Sequence, residues 1–159
     1  MNLARIPGTA LGLLAAATLA MAAAEPRLSA AIAQLDCAPW DGPAFTIAVG
    51  REGAKAVDPA HPWLRISIWH EAETRYGVTY RFPDTDGKTG AVEYGGSAFP
   101  SVIGTVRFPP AASAKDIDGS FDLVAPDGRH LSGRFHGGWS PRIALCGTYI
   151  AAKATTTRR

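Results

Sequence analysis

From Cys37 to Tyr149 the apolar residues fall in short runs that alternate with polar ones, and glycine, proline or aspartate closes each run. A period of two places successive side chains on opposite faces, so such a chain reads as β-strands with one face toward a core. Trp63 to His70 is the strongest example: Leu64, Ile66 and Ile68 share one face, while Trp63, Arg65, Ser67 and Trp69 share the other. Arg75 to Phe82 repeats the pattern, with Tyr76, Val78, Tyr80 and Phe82 set against Arg75, Thr79 and Arg81. Phe45 to Val49, Ala91 to Tyr94, Ser101 to Phe108 and Ile143 to Tyr149 are shorter candidates. Ser120 to Ala125 and His130 to Trp139 flank Pro126-Asp127-Gly128-Arg129, where Asp-Gly accepts the positive φ that tight hairpin turns require. Phe121, Leu123, Leu131 and Phe135 then turn to one core, and Asp122, Ser132 and Arg134 to water. With 17 glycines and 12 prolines as punctuation, the expectation is all-β: a small antiparallel sandwich or barrel of about eight strands.

The two ends of the chain read differently. Arg5, the apolar run Leu11 to Ala20 and the small residues up to Ala24 form a charged, an apolar and a cleavage region, the pattern of a secretory signal peptide over residues 1–24. The run is too short and too alanine-rich for the roughly 20 residues of a spanning helix. Residues 25–36, containing Leu28 to Leu35, read as a linker or a short helix. Residues 37–150 form the β domain, and the tail 151–159 has no apolar pattern and reads as disordered. Export to the periplasm or beyond it places Cys37 and Cys146, the only cysteines, where thiols oxidise. A single disulfide joining the ends of the domain follows, removing roughly 4–5 kcal/mol of unfolded-state freedom in the loop-entropy picture.

Charge narrows the partners. Lys and Arg number 16 against 14 Asp and Glu, but Arg5 lies in the leader and Lys153, Arg158 and Arg159 in the tail. The body between them carries two more acids than bases, so the sequence pI near 8.7 does not signal a nucleic-acid surface.

No catalytic signature stands out. Gly95-Gly96-Ser97-Ala98 is followed by Phe99 and is not G-x-S-x-G, and no nucleophile–base pair is visible. His130 and His136 share one strand face but stand roughly 20 Å apart at about 3.3 Å per residue, too far to share an ion. Trp40 and Trp139, near the cysteines in sequence, are expected to pack around the disulfide. Asp84-Thr85-Asp86-Gly87 has the alternating acids and glycine of a calcium loop, with Asp84 and Asp86 as ligands, though the glycine falls too early and Gly95 stands where a bidentate glutamate belongs. Asp116-Ile117-Asp118-Gly119 reads as a second acidic turn. Calcium is thus the one cofactor with any support.

The remaining candidate is aromatic. Trp63 and Trp69, with Arg65 and Ser67 between them, would offer indole planes and polar groups to a sugar or a peptide. The reading that results is an exported, non-enzymatic binding or interaction module of the cell envelope, its partner an envelope protein or a glycan. A carbohydrate-binding domain using the tryptophan strand, or an enzyme with residues scattered over loops, are the alternatives.

Overall fold

The computed structural model describes residues 28–83, 86–95, 102–110, 114–142, 145–146 and 149–150. The segment expected to be a signal peptide, the tail and Asp84 lie outside the described residues. Within them the chain is all-β: β1 Leu28–Cys37, β2 Pro43–Val49, β3 Leu64–Ile68, β4 Thr79–Phe82, β5 Gly90–Tyr94, β6 Ile103–Arg107, β7 Asp116–Val124, β8 His130–Trp139, β9 Leu145–Cys146 and β10 Tyr149–Ile150. One 3₁₀ turn, Ala72–Arg75, precedes β4. Among the described residues no helix is long and apolar enough to cross a membrane.

Eight strands form one sheet in the order β4-β6-β7-β8-β1-β2-β3-β5. It curls into a nearly closed barrel, its edge strands β4 and β5 approaching without a shared ladder. β9 and β10 make a separate two-stranded ribbon. The core is continuous: Phe45, Ile47, Leu64, Ile66, Ile68, Val106, Ile117, Leu123 and Phe135 are almost wholly buried, drawn from strands all around the wall. Every ladder of the barrel is antiparallel except one. β1 and β8 run parallel, from Leu28 opposite Arg134 to Ala33 opposite Trp139. That junction joins two antiparallel halves, and the rest of the domain serves as the long crossover that a parallel pair requires.

The stretch Leu28 to Leu35 is therefore a strand, not a linker or a helix. Its leucine and alanine content favours helix locally. Two neighbouring ladders override that preference, and Ser29, Ala31 and Ala33 point inward, where small side chains suit a tight wall. Acids at Asp116 and Asp118 do not form a turn either. Ile117 between them is wholly buried, so both belong to β7 and face away from the core.

The β7–β8 hairpin follows its parity. Phe121, Leu123, Leu131 and Phe135 are buried, while Asp122, Ser132 and Arg134 are exposed. A side chain at Gly133 would put its Cβ 2.7 Å from the Phe121 ring, so the missing side chain makes room for that phenyl. The connection is a three-residue loop: Gly128 N–H donates to Ala125 O at 2.9 Å, and Ala125 N–H donates to Arg129 O at 2.9 Å. Within the loop only Gly128 takes a positive φ, +80°.

The disulfide forms as expected. Cys37, the last residue of β1, and Cys146 of β9 are bonded with Cα atoms 5.4 Å apart, bridging 109 positions of sequence.

Candidate functional site

The loop between β2 and β3 has no strand of its own and folds over the barrel rim. It is tied to β1 at its start, where Gly50 N–H donates to Ala30 O at 2.9 Å and Ala30 N–H to Ala54 O at 3.0 Å, and to β2 at its end, where Trp63 N–H donates to Val49 O. Asp58 organises its middle by accepting the Ala60 N–H at 2.9 Å and facing the His61 Nδ1 at 3.0 Å. These contacts, the His61 ring first and the Ala60 amide next, hold the Asp58 carboxyl below the usual carboxylate range. From the sheet beneath, Arg65 Nη2 donates to Pro59 O at 3.1 Å, and its Nε lies 3.4 Å from Glu93 across the β3–β5 ladder.

Between this loop and the strands lies a groove of about 680 Å³. Trp63, Arg65, Glu93, Asp58, His61 and Arg51 border it, with alanines along the loop side. Four of those charged groups are committed to pairs. Arg51 is exposed and has no ion-pair partner among the described residues, which leaves its guanidinium available to a ligand. Trp63 also borders a smaller hollow of about 260 Å³ with Ser29, Phe121 and His130.

Trp63 reaches this position because it stands just ahead of β3. Its N–H donates to Val49 O at 3.1 Å and its carbonyl accepts from Gly95 at 3.2 Å. The ring turns inward, edge-on to Tyr94 at 5.6 Å and tilted against Phe121 at 6.1 Å. Trp69 sits past the other end of β3 and meets Trp40 edge-on, with centroids 5.3 Å apart. The two tryptophans thus touch different partners at opposite ends of the strand, and the fold brings Trp63 and Arg65 to one groove without Trp69. Of the other two tryptophans, Trp139 lies against Phe45 at 6.0 Å, and Trp40 against Trp69.

Asp86 lies in an exposed turn. Among the described residues, no three His, Cys, Asp or Glu side chains come together as a metal site. His130 and His136 do share the outer face of β8, and each meets an aspartate of β7: His130 Nε2 is 2.6 Å from Asp122, His136 Nδ1 2.7 Å from Asp118. The Asp118 carboxylate raises the His136 pKa, by its hydrogen bond first and its charge second. These pairs were readable in principle. Once the turn is centred on Asp127, antiparallel register sets Asp118 opposite His136 and Asp122 opposite Ser132, beside His130.

Arg75 had no such signal. Strand parity placed it facing outward, but the 3₁₀ turn carries it inside, where it is only 4% exposed. Its guanidinium donates to Ala72 O and, at 2.8 Å, to the Tyr76 hydroxyl, and lies over the Tyr76 and Trp139 rings at 4.2 and 5.1 Å. Tyr and Trp faces attract a guanidinium, which offsets part of the charge's loss of water. Arg75 thus plugs the barrel end opposite the groove.

Compared with known proteins, the chain matches no family model, no curated protein and no solved structure.

Proposed function

We propose that the protein is an exported, non-enzymatic binding module of the cell envelope, in the periplasm or outside the cell, and that the groove beneath the β2–β3 loop is its ligand seat. One observation carries the reading: the groove's walls are locked by internal pairs, Arg65 with Glu93 and Asp58 with His61, while Arg51 at its border stays uncommitted. A pre-organised wall with one free cation among the described residues suits a partner segment that presents a carboxylate and an apolar patch for Trp63. The disulfide supports the compartment, because such a bond persists where thiols are oxidised. Cleavage after Ala22 or Ala24 accounts for the leader.

The test couples localisation to binding. Protein recovered outside the cytoplasm should have an N-terminus near Ala23 or Glu25 by intact mass. The processed domain, used as bait in envelope extract, should retain a partner that Arg51→Glu releases. Retention of Met1 in the exported protein, or equal capture by wild type and Arg51→Glu, would defeat the proposal.

A further inference from the structure

The carbohydrate reading finds its best support away from the groove, where the β1–β2 turn meets the end of β3. This turn, Ala38-Pro39-Trp40-Asp41-Gly42, has the same frame as the one at Ala125–Arg129: Asp41 N–H donates to Ala38 O at 2.8 Å, and Ala38 N–H donates to Gly42 O at 2.9 Å. In that frame the fourth residue is left-handed. Gly128 fills the seat in one turn at φ +80°, but Asp41 fills it in the other at φ +65°, the one non-glycine residue with positive φ among those described. A glycine stands one place further on, where it does not relieve that conformation.

Gly42 answers a different need. A Cβ there would lie 2.7 Å from Trp40 Nε1 and 3.0 Å from its Cδ1, so the indole is folded directly over the glycine. The turn accepts an aspartate at its left-handed position, which L side chains other than Asn and Asp rarely fill. The ring gains little burial by it. Trp40 is 53% exposed. Trp69 meets it edge-on with an interplanar angle of 83°, so two indole planes form a right-angled corner. The corner is held from three sides: by the Cys37–Cys146 bond just before the turn, by the turn's own hydrogen bonds, and by Trp69 N–H donating to Thr89 O at 2.9 Å.

Polar groups stand on the neighbouring strand positions. Ser67, two residues before Trp69, opens a row of oxygens that crosses the sheet. Ser67 Oγ is 3.2 Å from Thr46 Oγ1, which donates to Asp36 Oδ2 at 2.9 Å. The Asp41 carboxylate, next to Trp40, has no side-chain partner among the described residues. A fixed aromatic corner beside hydroxyl and carboxylate acceptors suits a pyranose, whose C–H face stacks on an indole while its hydroxyls donate to oxygens. The Asp41 carboxylate beside Trp40 disfavours an anionic sugar. We propose that Trp40 and Trp69, with Asp41, form a binding seat for a neutral saccharide, independent of the groove at Trp63.

The test titrates the processed, disulfide-bonded domain with two neutral probes, the β-1,4-linked tetramers of N-acetylglucosamine and of glucose, following tryptophan fluorescence and heat. At least one probe should bind. Trp40→Ala should weaken it by roughly tenfold or more, and Arg134→Ala on the exposed face of β8 should leave it unchanged. Asp41→Gly gives a second, separable readout: a higher melting temperature from the relieved φ together with several-fold weaker binding, a combination that a purely structural turn would not produce. The proposal is overturned if neither tetramer binds by about 10 mM, or if Trp40→Ala or Asp41→Gly binds as wild type does. It is overturned too if Trp40→Ala abolishes a concentration-dependent dimer instead, which would make a second copy of the chain the occupant.

Discussion

Replacing Gly137 by alanine should open the barrel at its only parallel seam. Six residue pairs join β1 to β8 there, and through them the two antiparallel halves. Gly137 stands opposite Ala31, and a Cβ built on it would run into the Ala31 carbonyl and lie only 3.0 Å from the Ala31 Cα. All of these obstacles are backbone, so no side chain can rotate away. Either β8 retreats, or the ladder near Ala31 breaks. Overpacking of this kind costs about 1–3 kcal/mol, and each ladder bond lost adds about 1 kcal/mol net. A total near 3 kcal/mol corresponds to a fall of roughly 10 °C in Tm for a domain of this size. Gly138, the next residue, supplies the control, because nothing lies within 4 Å of the Cβ it would gain. Gly138→Ala should stay within about 0.5 kcal/mol of wild type. Thermal unfolding followed by circular dichroism, with the disulfide intact, separates the two. Equal melting of the two variants would refute the close approach of Gly137 to Ala31, and with it the β1–β8 register.

Three further outcomes follow from separate features. Gly128→Val should destabilise the domain by at least about 1 kcal/mol in a denaturant titration, because a β-branched residue resists the φ of +80° on which the β7–β8 loop closes. Replacing Cys37 and Cys146 by alanine frees a span of 109 positions and should lower stability by about 4–5 kcal/mol, read as a shift in the denaturant midpoint; an unchanged midpoint would show that the bond constrains nothing. The Asp118–His136 pair sets a pH dependence. A histidine whose folded pKa is raised contributes stability fully present below its ordinary value near 6.5 and lost as pH rises through the folded value. Both groups are solvent-exposed, so the effect on stability is small and the direct readout is the NMR titration of the His136 ring, whose midpoint should fall in Asp118→Asn.

Much of the wall was legible in the sequence because it depends on near neighbours. Alternation sets which side of a strand a residue faces, so Leu64, Ile66 and Ile68, and Phe121 with Leu123, fell inward as the pattern requires. A turn of known length sets register, which made the β7–β8 face, its aspartates and its histidines recoverable from Asp127 and Gly128 alone. The pairing of Cys37 with Cys146 needed no geometry, since no third cysteine competes.

Other features were decided only when distant surfaces met. Leu28 to Cys37 carries helix-prone residues and became a strand because β2 and β8 each offered it a ladder. Trp63 and Arg75 left the faces that parity assigned them, one turning in where β3 has not yet begun, the other where a 3₁₀ turn replaces the strand. The groove at Trp63 and Arg65 needed a loop from before β3 to fold over a strand that follows it. The corner of Trp40 and Trp69 joins a hairpin turn to a strand end 29 positions later in the chain. Parity and turn chemistry are written in the covalent geometry of adjacent residues. Which faces come together across a closed barrel depends on the packing of the whole chain, and both candidate binding seats arise there.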